Sequence, residues 1–174
     1  IVSGDFNDDN YPDVAIALGD ANKISIRLND PLGGFLPTEI DVDLGTDGGG
    51  PTSLAVGQFN GVGTPLDLAV VNNFTSKVMI LTDFNGTGFD TMTAVTVGSE
   101  PMDVATAVIT GDAAHLDLVL VNQVDNTIQA LLNNGSGGFV AGSPISTGGT
   151  DAVSIVAAEL TGDTHVDVAV AHTL

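Results

Sequence analysis

Side chains that carry oxygen occupy alternate positions in a short segment near the start of the sequence. They are Asp5, Asn7, Asp9 and Asp13, and the main-chain carbonyl of Tyr11 can fill the remaining alternate position. Because Ca²⁺ takes about six to eight oxygen ligands, this spacing predicts a calcium loop. Asp and Asn also cluster in ordinary turns, so an acidic turn without a metal is the alternative.

The residues that follow this loop distinguish it from a helical calcium site. The first half of the loop has the Asp and Asn spacing of an EF-hand, but the Glu expected at the last loop position is absent. The apolar run 14–18 comes next and is typical of a β-strand. We therefore expect strands, rather than helices, to position the loop.

The composition indicates an all-β protein. The 174 residues are 43% apolar, with 22 glycines and no tryptophan, and Val, Ala and Thr are abundant. This length and apolar content suffice for one packed domain and exclude a disordered chain. The abundance of glycine and β-branched residues favours short strands joined by tight turns.

The charge balance limits the partners of the chain. The formal net charge is −19 because only Lys23, Arg27 and Lys77 are cationic. Such a surface disfavours nucleic acid and anionic membranes and favours divalent cations. The absence of cysteine rules out a disulfide scaffold and a zinc–thiolate site. No apolar run reaches the roughly 20 residues that span a bilayer, and a start at Ile1 without a signal peptide is typical of a mature fragment.

Three sets of residues recur with a period near 50. An Asp before an apolar run, a Phe after a glycine-rich turn and a Pro before an apolar run return after 54 or 50 residues, at Asp13, Asp67, Asp117 and Asp167, at Phe35, Phe89 and Phe139, and at Pro51 and Pro101. A period of this length is typical of a four-stranded propeller blade. We predict antiparallel blades at 1–50, 51–100 and 101–150, and half a blade at 151–174. About three and a half blades cannot close a ring, so we expect a longer parent chain or a partner that supplies the rest.

The second unit shows the expected strands of a blade most clearly. Residues 53–57 and 68–71 are predicted to form the two inner strands, and 68–71 is a continuous apolar run that is typical of a strand buried on both faces. A third strand is expected at 77–81, a hairpin turn with Asn and Gly at 83–88, and a fourth strand at 91–97.

Segments 4–7, 57–61 and 160–170 resemble FG-GAP/VCBS repeats, and the turn Leu-Asn-Asn-Gly-x-Gly-Gly-Phe at 132–139 strengthens the resemblance. The resemblance covers essentially the whole chain. Repeats of this family build the integrin α-subunit head and many secreted microbial propellers. The resemblance implies a ring that commonly has seven blades, with Ca²⁺ bound in the hairpin between the first and second strands of some blades.

The resemblance also implies a second calcium loop, in the fourth unit. Its implied ligands are the side chains of Glu159, Thr161, Asp163 and Asp167 and the main-chain carbonyl of His165. The Gly that is usual after the third ligand is Asn10 in the first loop and Thr164 in the fourth. Because β-branched Thr tolerates a left-handed backbone poorly, the fourth loop departs further from the family pattern.

The loops of the second and third units, at 58–67 and 108–117, retain fewer ligands. Gln58 and Val62 replace carboxylates in one, Val108 replaces the first ligand in the other, and both loops are one residue longer. We expect both loops to be empty.

The sequence does not assemble a catalytic set. His115 and His165 lie in the calcium-type hairpins, and no Ser-His-Asp or Cys-His combination is present. We therefore expect a non-catalytic, calcium-stabilised extracellular module, secreted or on the cell surface, that binds a protein or glycan in adhesion or recognition. The alternatives are a structural subunit of a surface layer or filament, completed by neighbouring copies, and the propeller part of a polysaccharide lyase or glycosidase.

Three sequons, at Asn73, Asn85 and Asn134, would accept N-glycans in an organism that glycosylates secreted proteins. Asn85 and Asn134 each precede a Gly, so the needs of a hairpin turn also explain these two.

Overall fold

The computed structural model describes residues 1–61 and 65–173, and Val62 and Leu174 therefore lie outside the described residues. Its strands form four successive antiparallel sheets. Sheet one contains β1 (Val2–Gly4), β2 (Asp13–Leu18), β3 (Lys23–Asn29) and β4 (Phe35–Asp43), and a short 3₁₀ helix (Gly19–Ala21) joins β2 to β3. Sheet two contains β5 (Pro51–Gly57), β6 (Asp67–Asn72), β7 (Lys77–Phe84) and β8 (Phe89–Thr96).

Sheet three repeats this arrangement, and the described part of sheet four has two strands. Sheet three contains β9 (Pro101–Ala107), β10 (Asp117–Asn122), β11 (Thr127–Asn133), β12 (Phe139–Ala141) and β13 (Ile145–Ser146). Sheet four contains β14 (Ala152–Ala158) and β15 (Asp167–His172). No α-helix occurs among the described residues, so none there could cross a membrane as a helix.

The strands of each sheet pair in chain order, as expected for hairpins with short turns, except that β13 pairs with β11 beside β12. The second strands of sheets two and three are buried on both faces, as predicted for 68–71, because every residue of β6 and of β10 is buried. The all-β class, the antiparallel pairing and the four-stranded units predicted from the sequence are thus confirmed. The sheets are not closed into a ring in the described part of the chain.

Apolar side chains fill the space between consecutive sheets. Phe6 and Ile24 of sheet one pack with Leu68 and Leu81 of sheet two. The next layer, between sheets two and three, includes Phe59, whose ring meets that of Phe139 edge-on with centroids 5.5 Å apart. A third and smaller cluster joins sheet three to sheet four. Each sheet therefore depends on its neighbours for a core.

Several strand boundaries differ from the expected ones by one to three residues, and two differences change the connections. Strand β7 continues to Phe84, so the turn that was expected at 83–88 is tightened to a hairpin closed by the Asn85 N–H on the Gly88 carbonyl, 2.9 Å away. The fourth strand of sheet three is interrupted between β12 and β13, where Pro144 lies. Proline has no N–H to donate to a ladder. Pro37 in sheet one, by contrast, lies within the continuous strand β4, beside a register shift.

Candidate cation-binding hairpin loops

The recurring Asp of each unit begins the second strand and closes the hairpin that precedes it. In unit two, Asp67 is buried, and its Oδ2 accepts the Phe59 N–H at 2.8 Å. Its Oδ1 accepts the N–H of Asp83, near the end of the third strand, at 3.4 Å. One carboxylate therefore ties the hairpin loop to the third strand of the same sheet.

The same double attachment occurs in units one and three. Asp13 binds the N–H groups of Phe6 and Asn29 at 2.9 and 2.8 Å. Asp117 binds those of Ile109, Thr110 and Asn133 at 2.9, 2.7 and 2.9 Å. Asp13 and Asp117 are fully buried. Sequence reasoning assigned this Asp to the metal and missed its structural role, although its return in the two degenerate loops was a signal of that role.

Burial controls the protonation of two of these carboxyl groups. Desolvation raises the pKa of Asp67, an effect that the hydrogen bonds from main-chain N–H groups partly oppose. Desolvation likewise raises the pKa of Asp13, and the nearby carboxylates of Asp9 and Asp5 raise it further. Asp13 and Asp67 are thus held in place by hydrogen bonds in an environment that disfavours their charge.

In loop one, defined as residues 5–13, the predicted ligands bind one another and the loop backbone. The two carboxylate oxygens of Asp5 accept the N–H groups of Asp9 and Asn10 at 3.1 and 2.8 Å. Asp9 accepts the side-chain amide of Asn7 at 2.9 Å and the N–H of Tyr11 at 2.8 Å. Within the described residues, the aspartates of this loop do not form a three-carboxylate cluster.

In loop four, defined as residues 159–167, three predicted ligands converge. Glu159, Asp163 and Asp167 each place a carboxylate oxygen within 4.8 Å of the other two. The first two side chains are exposed and Asp167 is half-buried. The Oδ2 of Asp167 accepts the N–H groups of Leu160 and Thr161 at 2.9 and 3.0 Å, which fixes its position beside the loop.

Main-chain donors also orient the other two acids of this cluster. The His165 N–H donates to Asp163 Oδ1 at 2.9 Å, and this hydrogen bond is the main cause that lowers the pKa of Asp163. The Oε1 of Glu159 accepts the N–H groups of Gly162 and Asp163, the latter at 3.2 Å. Three converging carboxylates fit a hard divalent cation.

The other two predicted ligands of loop four, Thr161 and His165, both contact acids of the cluster. The ring Nδ1 of His165 is 3.4 Å from Asp163 Oδ1, and Thr161 binds Asp167 through its N–H. Thr164 has a φ of 70°, and Asn10, at the equivalent position of loop one, has a φ of 69°. Both are left-handed, and only the β-branched Thr is strained by this conformation.

The degenerate loops use their remaining acids differently. In loop three, residues 108–117, Asp112 is 2.7 Å from the ring Nδ1 of His115 and accepts the Ala114 N–H at 3.0 Å. The hydrogen bond from His115 is the main cause that lowers the pKa of Asp112. In loop two, residues 58–67, the Asn60 amide donates to Asp83 at 2.8 Å. That these loops are empty stays a prediction.

A cleft of about 760 Å³ separates loop three from loop four. Val108 and Ile109 line one side, and Glu159, Thr164 and His165 line the other. The cleft thus adjoins one member of the acidic cluster.

The three sequons have different environments. Asn73 is 8% exposed, and its side-chain amide lies 3.2 Å from both the Pro101 carbonyl and the Met102 sulfur. A glycan on this nitrogen would displace both contacts. Asn85 and Asn134 are exposed in hairpin turns, where each side-chain oxygen accepts main-chain N–H groups of its own turn.

The fold and the acidic hairpins together define a class, that of repeated four-stranded β units with an Asp-closed loop between the first and second strands. Residues 114–170 match the family model of the FG-GAP-like repeat. The chain therefore carries an FG-GAP-like repeat, as the sequence resemblance predicted, and such a repeat indicates a β-propeller-like module. The matched segment includes loop four and not loop one. No curated protein matches the chain.

Proposed function

We propose that this chain is a calcium-stabilised, non-catalytic part of a β-propeller that acts outside the cell in adhesion to, or recognition of, a protein or glycan. The observation that carries the proposal is the convergence of Glu159, Asp163 and Asp167 in a hairpin of the FG-GAP-like repeat. A bound cation would neutralise three carboxylates that otherwise repel one another in a chain of net charge −19.

Contacts between the first strands of successive sheets support the propeller. Asp103 of β9 accepts the Ser53 hydroxyl of β5 at 2.6 Å on one carboxylate oxygen. Its other oxygen accepts the Ser154 hydroxyl and the Ile155 N–H of β14 at 2.7 and 2.9 Å. One side chain thus gathers the first strands of three sheets, as expected where blades meet around an axis.

In loop four the chain's own residues would hold Ca²⁺ through the three carboxylates and so connect the end of β14 to the start of β15. The cation supplies charge neutralisation, and binding to the folded loop alone would stabilise the fold by about 2.7 kcal/mol at a hundredfold excess over Kd. Extracellular calcium modules bind at roughly 0.1 to 1 mM, which suits an exposed site of this kind.

Two observations support action outside the cell and recognition. FG-GAP repeats are typically extracellular. The cleft between loops three and four has polar and apolar lining and borders the acidic cluster, so a protein or glycan that binds there would lie next to the cation.

Thermal unfolding with excess Ca²⁺, and then with a chelator, tests the proposal. We expect Ca²⁺ to raise the Tm by several degrees and Asp163→Asn to remove most of that gain. Asp112→Asn is the matched control, because Asp112 follows a Thr-Gly pair as Asp163 does but lies in a loop without the acidic cluster. An equal Tm with and without Ca²⁺, or an equal loss of the gain in both variants, would refute the calcium site.

Recognition is tested separately, on glycan and extracellular-matrix arrays probed with the whole chain. Retention of a ligand that Val108→Asp in the cleft abolishes would support recognition there. Binding that this variant leaves unchanged would contradict it.

A further inference from the structure

A polar pocket of about 420 Å³ lies between the outer two strands of sheet two and the hairpin turn 134–138 of sheet three. This volume is within the range of small-molecule sites. The described lining consists of side chains that carry hydroxyl, amide or carboxylate groups, together with two glycines, and it includes Asn60, Thr82, Asp83 and Asn134. The pocket shares no lining residue with the cleft between loops three and four. It is therefore a separate candidate site.

The equivalent pocket, between sheets one and two, has a different lining. It measures about 350 Å³ and is lined in part by Leu28 and Ile40. The repeat aligns Leu28 with Thr82 of sheet two and with Leu132 of sheet three, and strand pairing aligns Ile40 with Thr93. Thr82 and Thr93 both line the polar pocket. The fold accepts apolar residues at these positions, so it does not require the polar ones.

Asp83 is a second departure from the repeat, next to Thr82. The equivalent residues of sheets one and three are Asn29 and Asn133. Asp83 has a φ of 62°, whereas neither Asn29 nor Asn133 has a positive φ, and strained residues of this kind cluster at ligand sites. Neighbouring residues of a strand normally point to opposite faces, but the Thr82 hydroxyl donates to Asp83 Oδ2 at 3.0 Å and both residues line the pocket. Two adjacent departures from the repeat thus meet at one place.

Hydrogen bonds hold the walls of the pocket in position. The Asn60 amide donates to Asp83 Oδ1 at 2.8 Å, and the Gly137 N–H donates to the Phe59 carbonyl at 2.9 Å, which fixes the hairpin turn against loop two. Each oxygen of Asp83 accepts one hydrogen bond among the described residues and has the capacity for another. The side-chain N–H groups of Asn134 donate to no described residue. The pocket therefore offers both acceptors and donors to a ligand.

We propose that this pocket binds one sugar unit of a neutral glycan. Sugar hydroxyls both donate and accept, so neighbouring hydroxyls can donate to the Asp83 carboxylate while another accepts from Asn134. Asp83 is the one charged residue of the described lining, and its carboxylate would repel an anionic sugar. An ammonium group has no acceptor and would leave the Asn134 donors unpaired. The proposal is independent of calcium and goes beyond the proposed recognition at the cleft.

The test is an NMR titration of the ¹⁵N-labelled whole chain, expressed without N-glycosylation so that Asn134 carries no sugar. The probes are glucose, galactose, mannose and N-acetylglucosamine, with glucuronic acid and glucosamine as charged counterparts of glucose. We expect saturable shifts of the amides of Thr82, Asp83 and 134–138 with at least one neutral sugar. The described lining has no aromatic ring on which a sugar could stack, so the affinity should be weak, in the millimolar range. Glucuronic acid should bind at least about tenfold more weakly than glucose, because Asp83 repels its carboxylate.

Two variants restore the residues that the repeat carries elsewhere and are therefore expected to fold. Asp83→Asn removes the charged acceptor and should weaken binding by at least about tenfold, because hydrogen bonds to charged groups are the stronger ones. Thr82→Leu fills the pocket and should abolish binding. The matched control is Thr38→Leu in the equivalent pocket of sheet one, which should leave binding unchanged. Val108→Asp should also leave it unchanged, since Val108 lines the cleft and not this pocket.

Three outcomes would overturn the proposal. The first is the absence of saturable shifts at the pocket amides with every neutral sugar. The second is tighter binding of glucosamine than of glucose, which would assign the pocket to a cationic group. The third is equal affinity of Thr82→Leu and the wild-type chain, which would place the sugar elsewhere. None of these measurements involves loop four or the cleft, so a failure here leaves the calcium site and the proposed recognition to their own tests.

Discussion

Loops one and four begin from similar spacings of oxygen-bearing side chains and use them differently. In loop one, Asp9 receives hydrogen bonds on both oxygens, from the Asn7 amide and the Tyr11 N–H. In loop four, Asp163 faces Glu159 and Asp167. The position equivalent to Asn7 is Thr161, whose side chain offers Asp163 a hydroxyl hydrogen bond in place of an amide.

This comparison shows that the spacing of Asp and Asn alone does not establish a metal site. The acids of loop four also accept main-chain N–H groups, but among the described hydrogen bonds these reach one oxygen of each carboxylate, whereas Asp5 and Asp9 accept on both oxygens. A carboxylate with both oxygens engaged must exchange a hydrogen bond for a cation, and that exchange reduces the net gain from binding. Loop one matches the ligand pattern better in sequence, but loop four has the better arrangement of charge. We therefore expect loop four to bind Ca²⁺ first.

The largest expected effect is the loss of unfolding free energy when the closing Asp is replaced, which should be greater at buried Asp67 than at half-buried Asp167. Asp67→Ala leaves two main-chain N–H groups without an acceptor inside the protein, so we expect a loss of about 3 kcal/mol of unfolding free energy. Asp167→Ala should cost about 1 kcal/mol without calcium, because its loop contacts are exposed to water.

Urea unfolding in the presence of a chelator measures both values. Asp20→Ala, at an exposed position in the 3₁₀ helix, is the control for the loss of one negative charge. If Asp67→Ala were no more destabilising than Asp20→Ala, the pinning role of the closing Asp would be wrong.

The next prediction ranks the two calcium loops directly. Isothermal titration should show one dominant Ca²⁺ site, and Asp163→Asn should weaken it by at least tenfold, because one of three converging charges is removed. Asp9→Asn should change this site by less than threefold. The opposite ranking would mean that loop one rearranges to bind first and that its internal hydrogen bonds do not oppose binding.

Much of the fold could be predicted, because it rests on a period that the sequence displays three times. The recurrence of Asp, Phe and Pro near every 50 residues predicted the units, and the apolar run at 68–71 predicted a strand buried on both faces. The break in the fourth strand of sheet three was missed, although Pro144 signalled it. Pro37 lies within the continuous strand β4, so a proline in the pattern does not by itself fix where a fourth strand stops.

The sequence predicted which residues belong to the candidate site, but it did not predict how their side chains are arranged. All three members of the acidic cluster were among the expected ligands. Their convergence, and the internal pairing of Asp5 and Asp9 in loop one, depend on which N–H groups the folded loop presents. Those directions are set by backbone dihedral angles that the sequence pattern does not specify.

A smaller effect concerns the strained backbone that follows the third ligand. Thr164→Gly should stabilise the chain by about 1 kcal/mol, because Gly adopts a positive φ without a steric penalty. Asn10→Gly should change stability by only a few tenths of a kcal/mol, since Asn tolerates this conformation. Urea unfolding of both variants without Ca²⁺ checks this. Equal effects at the two positions would show that Thr164 carries no extra strain.

The smallest expected effect is a difference in pH dependence between buried and exposed acids. Burial raises the pKa of Asp67 above 3.8, so the folded chain binds more protons there than the unfolded chain in the window just above that value. Its contribution to the unfolding free energy therefore falls as pH rises through the window. Asp163, whose pKa is lowered, behaves oppositely and loses its stabilising contribution as pH drops below 3.8.

Unfolding free energies from pH 3 to pH 7 in a chelator, compared between the wild-type chain and each Asn variant, separate these contributions. General repulsion among the 22 acidic residues acts on all three chains and nearly cancels in the differences. Asp67→Asn should reduce the fall in unfolding free energy that occurs as the pH rises from about 4. Asp163→Asn should reduce the fall in unfolding free energy that occurs as the pH drops toward 3. Asp67→Asn could instead leave the change of unfolding free energy with pH unchanged above pH 4. The hydrogen bonds from main-chain N–H groups would then fully offset the cost of burying the Asp67 carboxylate.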